Sequence, residues 1–265
     1  MPSVSNIAIG ANMAAAAASK ARHGMNESIA RLSTGVRAMY GGDAAGHSAG
    51  QALNAMSKSY AAATRNIEDG ISFAQMGESV LLEVANMGIR LHELGIAADN
   101  AALLDSNQIA ALNSEAAAIG DAIDALLDNT DFNEVPVVDS NAALQKNVAY
   151  GGLTANTTAV GPNIAITVMA NIATASGADG TAKTMLGKVA EALGNIAADL
   201  TALKAFQGAA SATSANMAAA SARIIDTDFA LETAELTKNA ILNQAALSMA
   251  AQANNAQSAI LAVLQ

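Results

Sequence analysis

Apolar positions recur at helical spacing along most of the chain. Met25, Ile29, Leu32 and Val36 step by four, three and four residues and line one face of a helix. After a Gly-rich break, Leu53, Met56, Tyr60, Ala63 and Ile67 begin a second stripe, which continues through Ala74, Leu81, Val84 and Leu91 with Gly70, Gly77 and Gly88 interposed. That pattern predicts a long helix with small residues at its contact positions. Two further stripes, Ile109 to Leu126 and Leu186 to Leu203, alternate steps of three and four, the period of coiled-coil-like packing. Between the second and third stripes, ALLDSN (102–107) offers Asp105 or Ser106 as a helix N-cap, so the long helix is expected to turn back as an antiparallel hairpin.

The stretch DNTDFNEVPVVD (128–139) ends the third helix with turn formers and a proline. Residues 147–170, with Gly-Gly, Gly-Pro and the alternating Ile164, Ile166 and Val168, read as a short hairpin, the only β signal in the chain. A loop at 173–180 precedes the return helix. The last helical signal runs from Ser211 to Gln265, with Asp226 and Asp228 marking an interruption. The expected fold is mainly α: a long antiparallel helical rod with a short β-hairpin region, plus paired terminal helices.

Charge changes this picture at the ends. No charged side chain occurs from Met1 to Ser19 or from Asn239 to Gln265, so the net charge of −10 lies wholly between them. The C-terminal run is long enough to cross a bilayer, but Asn243, Gln244, Gln252, Asn254, Asn255 and Gln257 would each carry an amide into hydrocarbon. Neither end reads as a membrane span or a cleavable signal; both read as surfaces to be buried against protein. The acidic balance disfavours nucleic acid, whose affinity rests on Lys and Arg. With no Trp, 3 Tyr and 4 Phe, the large side chains that usually line a small-molecule pocket are scarce. The absence of cysteine excludes disulfides and thiolate metal sites.

One stretch invites a catalytic reading. GHSAG (46–50) matches G-x-S-x-G, the nucleophile elbow of serine hydrolases, but that motif needs a strand before Ser48 and an acid and a histidine after it. The preceding AMYGGDAA is no strand, and only His92 follows, beside Glu93 in the predicted long helix, where a solvated surface pair is the expected role. His23, His47 and His92 are too scattered for a metal site. No cofactor and no enzyme activity are expected. Asp43 is instead placed to cap the long helix, with Gly41 and Gly42 as the turn before it and Gly46 and Gly50 on one helical face.

Several motifs together resemble the terminal signatures of bacterial flagellin: RLSTGVR (31–37), GDAAG (42–46), RNIEDGISFAQ (65–75), DFN (131–133) and ARIIDTDFALETAELTKNAILNQAALSMAAQAN (222–254). The resemblance implies a structural subunit that polymerises into the hollow flagellar filament, secreted through the filament's own channel without a cleaved signal. Only about 50 residues separate Phe132 from Leu186, so the chain looks like a minimal form without large outer domains. The implied organisation is an inner domain from 1–42 and 226–265, and an outer rod from 43–225 with its hairpin region near 130–182. A hook-filament junction protein, with related ends, is the alternative, and a serine hydrolase a remote one.

The same resemblance implies site residues. Polymerisation would rest on Ile7, Ile9, Met13, Leu242, Met249, Ile260, Val263 and Leu264. Arg90, Glu93, Leu94 and Glu115 match a patch that in the family is recognised by an innate immune Toll-like receptor, and they serve equally as a subunit contact. The position between Arg90 and Glu93 that is commonly basic is His92 here. Thr154, Thr157, Thr158, Thr174 and Ser176 fall in outward loops of the kind flagellins glycosylate. Implied partners are further copies of the chain, the flagellar export machinery and a secretion chaperone, and the filament cap and junction proteins. The chain departs from the family in having Gly42 before Asp43, where two acidic residues are usual, and in its Ala-rich N-terminal segment.

Overall fold

A computed structural model describes residues 2–37, 43–139, 143–151, 156–163 and 175–264, and the side chains of 9–256, 258 and 259 within those spans. The helices are α1 (Pro2–Thr34), α2 (Ala44–Asp99), α3 (Ser106–Asp128), α4 (Ala178–Ile225) and α5 (Phe229–Leu264), with a 3-10 turn at Ala101–Leu103. The chain forms two compact units: Met1–Ala55 with Met217–Gln265, and Met56–Asn216.

In the second unit α2, α3 and α4 pack around one apolar core. Ile67, Leu81 and Val84 of α2 meet Ile123 and Leu127 of α3 and Met185, Val189, Ile196 and Leu203 of α4. Within the α4 stripe, Val189, Ile196 and Leu203 are buried, while Leu186, Leu193 and Leu200 are half-buried. The members seven apart therefore form the centre of the seam and the others its flank. A smaller cluster of Leu91, Leu94, Ala98, Ala116, Ala178 and Ala182 continues the core toward the C-terminal end of α2. Each fully buried Leu or Ile contributes about 1.5–3 kcal/mol. All of the largest fully buried side chains lie in this unit, among the described residues.

Polar and glycine contacts fix the register of α2 against α4. Ser57 and Ser214 donate reciprocally to each other's backbone carbonyls at 2.9 Å, and Gln207 Nε2 donates to Glu68 Oε1 at 3.1 Å. Nearer the other end, a Cβ on Gly88 would lie 2.5 Å from Met185 Cε, and one on Gly95 would strike the backbone N of Asp179. Rising numbers on α2 meet falling numbers on α4, so the pair is antiparallel. His92 Nδ1 lies 3.2 Å from the carbonyl O of Asp179, so it is half-buried at the start of α4 rather than paired with Glu93 at the surface. The α2–α3 turn uses Asp105: its Oδ1 accepts from Asn107 N and Gln108 N, while Gln108 Oε1 accepts from Asp105 N. This closes a capping box.

Two expectations from the pattern change. The β signal is not confined to 147–170, because β1 (Asp131–Phe132) and β2 (Val135–Pro136) form a tight hairpin inside the stretch read as turn formers. Asn133 and Glu134 sit at φ 51° and 63°, a two-residue turn of the hand that matches strand twist. Glu where Gly is usual hid the signal. β3 (Lys146–Ala149) pairs with β4 (Thr157–Val160), so that hairpin closes earlier than the alternating Ile164, Ile166 and Val168, which lie outside the described residues. Nor does a new helix begin at Ser211, since α4 is continuous to Ile225; the only break is at Asp226 to Asp228. Phe132 meets Phe73 edge-on at 6.1 Å, and Tyr150 stacks on Phe206 at 4.2 Å, so both hairpins are pinned to the helices by aromatic pairs.

Asp199 ties the second hairpin to α4 by accepting from Gly161 N at 3.0 Å. Burial pushes its carboxyl above the ordinary range, against the smaller lowering effect of that hydrogen bond. A raised folded-state pKa means that ionised Asp199 opposes folding above that pKa, and that the opposition is relieved as pH falls through it. Asp199→Asn is therefore expected to melt no lower than the wild type at pH 7, with any advantage vanishing in acid as Asp199 itself becomes neutral. A melting series from pH 7 to pH 3 checks the sign. Gly95→Ala is expected to cost about 1–3 kcal/mol in urea unfolding through overpacking against Asp179. Gly194→Ala, where an added Cβ meets nothing, should instead stabilise by about 0.5–1 kcal/mol.

Candidate functional site

The first unit is built from the terminal helices α1 and α5, the first turns of α2 and the last turns of α4. Small residues let α1 and α5 lie close together. Ala18 and Ala21 are buried, and a Cβ on Gly24 would fall 2.7 Å from Asn239 Nδ2. Glu232, also buried, forms an ion pair with Arg31 at 3.5 Å, and its Oε1 makes no hydrogen bond. Asp228 caps α5 by accepting from Ala230 N at 2.9 Å and Leu231 N at 3.2 Å.

The ends of α1 and α4 meet in a small backbone joint. Arg37 N donates to Ile225 O at 2.7 Å and Thr227 N to Gly35 O at 2.9 Å, around an antiparallel bridge of Val36 with Asp226. Gly35 takes φ 69°, a conformation that favours glycine. Arg37 Nη2 reaches both Ile224 O at 3.0 Å and Asp43 Oδ2 at 3.1 Å. Asp43 uses its other oxygen to accept from Gly46 N at 2.8 Å, the first turn of α2. One carboxylate thus caps a helix and anchors the joint. The start of α2 then lies tight on α4: Ser221 Oγ donates to Gly50 O at 2.8 Å, and a Cβ on Gly50 would strike Ile225.

Among the described side chains this unit has little core of its own. Apart from Ile225, its buried residues are small or polar, among them Ala18, Ala21, Ser28, Ser221 and Thr227. Large apolar side chains stay in the open: Ile9 is 51% exposed, Met13 69%, Leu242 49% and Met249 68%, and Phe229, Leu231, Ile241 and Leu247 are equally uncovered. Leu242 and Met249 line an open groove of about 680 Å³ between α1 and α5. Scattered exposed apolar residues are ordinary on a monomer, but this density along two paired helices marks an interaction surface. Ile7, Ile260, Val263 and Leu264 are helical, and their side chains lie outside the described set. So do Gly41 and Gly42.

Residues singled out from the sequence fall elsewhere as well. Arg90 donates from Nε and Nη2 to Glu115 Oε1 at 3.0 and 2.6 Å and from Nη1 to Glu93 Oε2 at 3.1 Å, joining α2 to α3 at the surface. The two glutamates raise the guanidinium's pKa further, Glu115 most. Leu94 is 3% exposed and packs in the core, so it does not share that surface. Thr157 and Ser176 are exposed and Thr158 half-buried, while Thr154 and Thr174 lie outside the described residues. Ser48 is an exposed residue inside α2, near its start. Among the described residues no three His, Cys, Asp or Glu side chains gather as a metal site, and no helix is long and apolar enough to cross a membrane. The joint of Gly35 to Arg37 with Ile224 to Thr227 was missed in the sequence, since no residue pattern there distinguishes a bridge from a loop.

Paired terminal helices with an uncovered apolar surface define a subunit that completes its packing by joining others. Residues 5–143 match the bacterial flagellin N-terminal helical region and residues 178–264 the bacterial flagellin C-terminal helical region. A flagellin of Halalkalibacterium halodurans is 31% identical over 90% of this chain and 91% of its own. A flagellin of Bacillus subtilis is 29% identical over 90% and 92%, and the flagellar filament core protein flaB2 of Brachyspira hyodysenteriae 27% identical over 91% and 92%. The chain belongs to the bacterial flagellin family, a family of structural proteins of the extracellular flagellar filament. Nothing in these relationships supports the junction-protein or hydrolase readings.

The double use of Asp43 separates two substitutions. Asp43→Ala removes cap and anchor and is expected to cost about 0.5–2 kcal/mol in thermal unfolding. Asp43→Asn, which keeps an acceptor for Gly46 N, should lose clearly less.

Proposed function

We infer that the terminal helices α1 and α5 form the polymerising inner domain of a swimming filament, and that the chain is a structural subunit with no enzymatic role of its own. The observation that carries this is the pairing of two long helices with almost no large buried side chain of their own and a row of exposed ones. Burying a Leu or Met side chain contributes about 1.5–3 kcal/mol, so a handful of such residues covered by neighbouring copies outweighs the cost of docking. The uncharged ends matter as much. In a polymer of a chain with net charge −10, repulsion between copies is screened only beyond about 8 Å at physiological salt, and helices packed closer than that are best left neutral. Amides such as Gln244 and Gln252 keep that surface wettable without charge, which suits the wall of a channel through which further subunits pass.

In this reading residues 1–42 and 226–265 make the inner layer and 43–225 the outer rod. The joint around Arg37 and Asp43 lies where the chain passes from one to the other. Export machinery and a chaperone would handle the chain before assembly, and cap and junction proteins would meet the same terminal helices. Arg90, Glu93 and Glu115 form the exposed cluster open to a neighbouring subunit or a Toll-like receptor; Leu94 could join it only if the core opened. Of the loop hydroxyls singled out in the sequence, Thr157 and Ser176 are described and exposed, and glycosylation there would show as an intact mass above that of the bare chain.

Deleting residues 239–265 removes Leu242 and Met249 and leaves the second unit's core untouched. The truncated protein is expected to stay soluble and helical by circular dichroism and to fail to elongate filament seeds in electron micrographs. Normal filaments from it would refute the assembly role of α5.

A further inference from the structure

The second unit carries two matching stripes that no described residue of the chain covers. On α2, Leu82, Ile89 and Ile96 recur at seven-residue steps, 51%, 50% and 57% exposed, and one step further Leu103 on the 3-10 turn is 80% exposed. They face away from the core built by Leu81, Val84 and Leu91. On α4, Gly180, Gly187, Gly194 and Gly208 fall in one heptad phase with Thr201 at the fourth place, all exposed. A Cβ added to any of these glycines would meet nothing within 4 Å, in contrast to Gly70, Gly88 and Gly95 of α2, where it would lie under 3.0 Å from a neighbour. Glycine inside a helix lowers its stability relative to alanine, so the α4 glycines carry a cost with no return inside the monomer.

Resting on the filament reading above, we infer that Leu82, Ile89 and Ile96 of one subunit seat as knobs over the glycine stripe of α4 in a second copy of this chain. Both stripes repeat at about 10.5 Å, from seven residues at 1.5 Å each, so a single axial shift brings every knob over a gap at once. Absent side chains at the glycines allow the backbone of one helix to approach the large residues of the other. The charges on the two faces allow the contact. Between Glu78 and Asp99, α2 carries Glu78, Glu83, Glu93 and Asp99 against Arg90. Along α4 from Asp179 to Lys204, Lys183, Lys188 and Lys204 are balanced by Asp179, Glu191 and Asp199, so an acidic face meets a neutral one, with Lys183 and Lys204 exposed one helical turn from Gly187 and Gly208. The stripes lie on different helices of the same unit, so the contact is heterologous: each copy gives knobs to one neighbour and glycines to another, and the chain of contacts continues from subunit to subunit.

The natural chain has no cysteine, which makes the contact directly testable. Ile89→Cys protein is mixed in equal amounts with Gly180→Cys, Gly187→Cys or Gly194→Cys protein, assembled on wild-type seeds and treated with a short bismaleimide. Each partner carries one thiol, so a cross-linked heterodimer reports contact between copies. The expected result is a strong heterodimer band from at least one glycine position in filaments and none from monomer at the same concentration. In parallel, Gly187→Leu and Gly194→Leu should fold and melt at or above the wild-type temperature. They should nevertheless raise the concentration needed for polymerisation by about tenfold or more, as loss of a central contact does. Filaments that form but cross-link at none of the three positions, or Gly→Leu variants that polymerise like the wild type, would overturn the interface while leaving the filament reading in place. If the wild-type chain itself grows no filament, that reading falls and the interface with it.

Discussion

How closely two helices can approach is decided here by the absence of side chains, and the rest of the structure depends on it. Gly70, Gly88 and Gly95 on α2 admit Val148, Met185 and the backbone of Asp179 to distances at which an added Cβ would force a shift, and Gly77 admits Val137 to a tight 3.1 Å from such a Cβ. Gly50 does the same for Ile225 and Gly24 for Asn239. A chain with seven aromatic residues cannot fill wide gaps between helices, so it closes the gaps instead. Each close approach also fixes an axial register, because a glycine displaced by one residue would place a Cβ against its neighbour. The hydrogen bonds of Ser57 with Ser214 and of Ser221 with Gly50 then reinforce a register that packing has already chosen.

The two units differ in how far each completes its own packing. The second unit buries Ile67, Leu81, Leu91, Ile123, Leu127, Met185, Ile196 and Leu203 completely and has what an independently stable domain needs. The first unit buries alanine, serine and threonine and exposes Met13, Leu242 and Met249. Had the terminal helices possessed a core of their own, each subunit would have satisfied itself and gained little from joining another. On the assembly proposed above, the polymer would be where these uncovered residues become buried, and the uncharged stretches 1–19 and 239–265 would remove repulsion that opposes it.

Much of this was legible in the sequence, and the exceptions share a cause. The stripes of α2, α3 and α4 are periodic signals, so they gave the helices and most of the seam; Asp105 and Asp228 are N-cap residues that act through their own side chains. The motifs at both ends led to the family. The hairpin at 131–136 escaped because its turn is made by Asn133 and Glu134 rather than by glycine, and the joint of Val36 with Asp226 because a bridge between residues far apart leaves no local mark. Leu94 and His92 were misjudged as surface positions because one helix pattern cannot show that the start of α4 comes down on that turn of α2. Local signals survive in sequence; the faces that two distant helices share do not.

GHSAG illustrates the same division. As letters, Gly46, Ser48 and Gly50 frame a nucleophile; in the fold they serve three separate contacts. A Cβ on Gly46 would displace the Asp43 carboxylate that caps α2 and holds Arg37, Gly50 seats Ile225 and accepts from Ser221, and Ser48 lies exposed between them. The spacing of four residues that mimics an elbow is simply one helical turn, the interval at which α2 must be bare twice to pass Asp43 and then Ile225. A bulkier residue at Gly46 would loosen the joint through its carboxylate, whereas one at Gly50 would push α4 away from α2. Two glycines that look equivalent in the motif therefore constrain different elements.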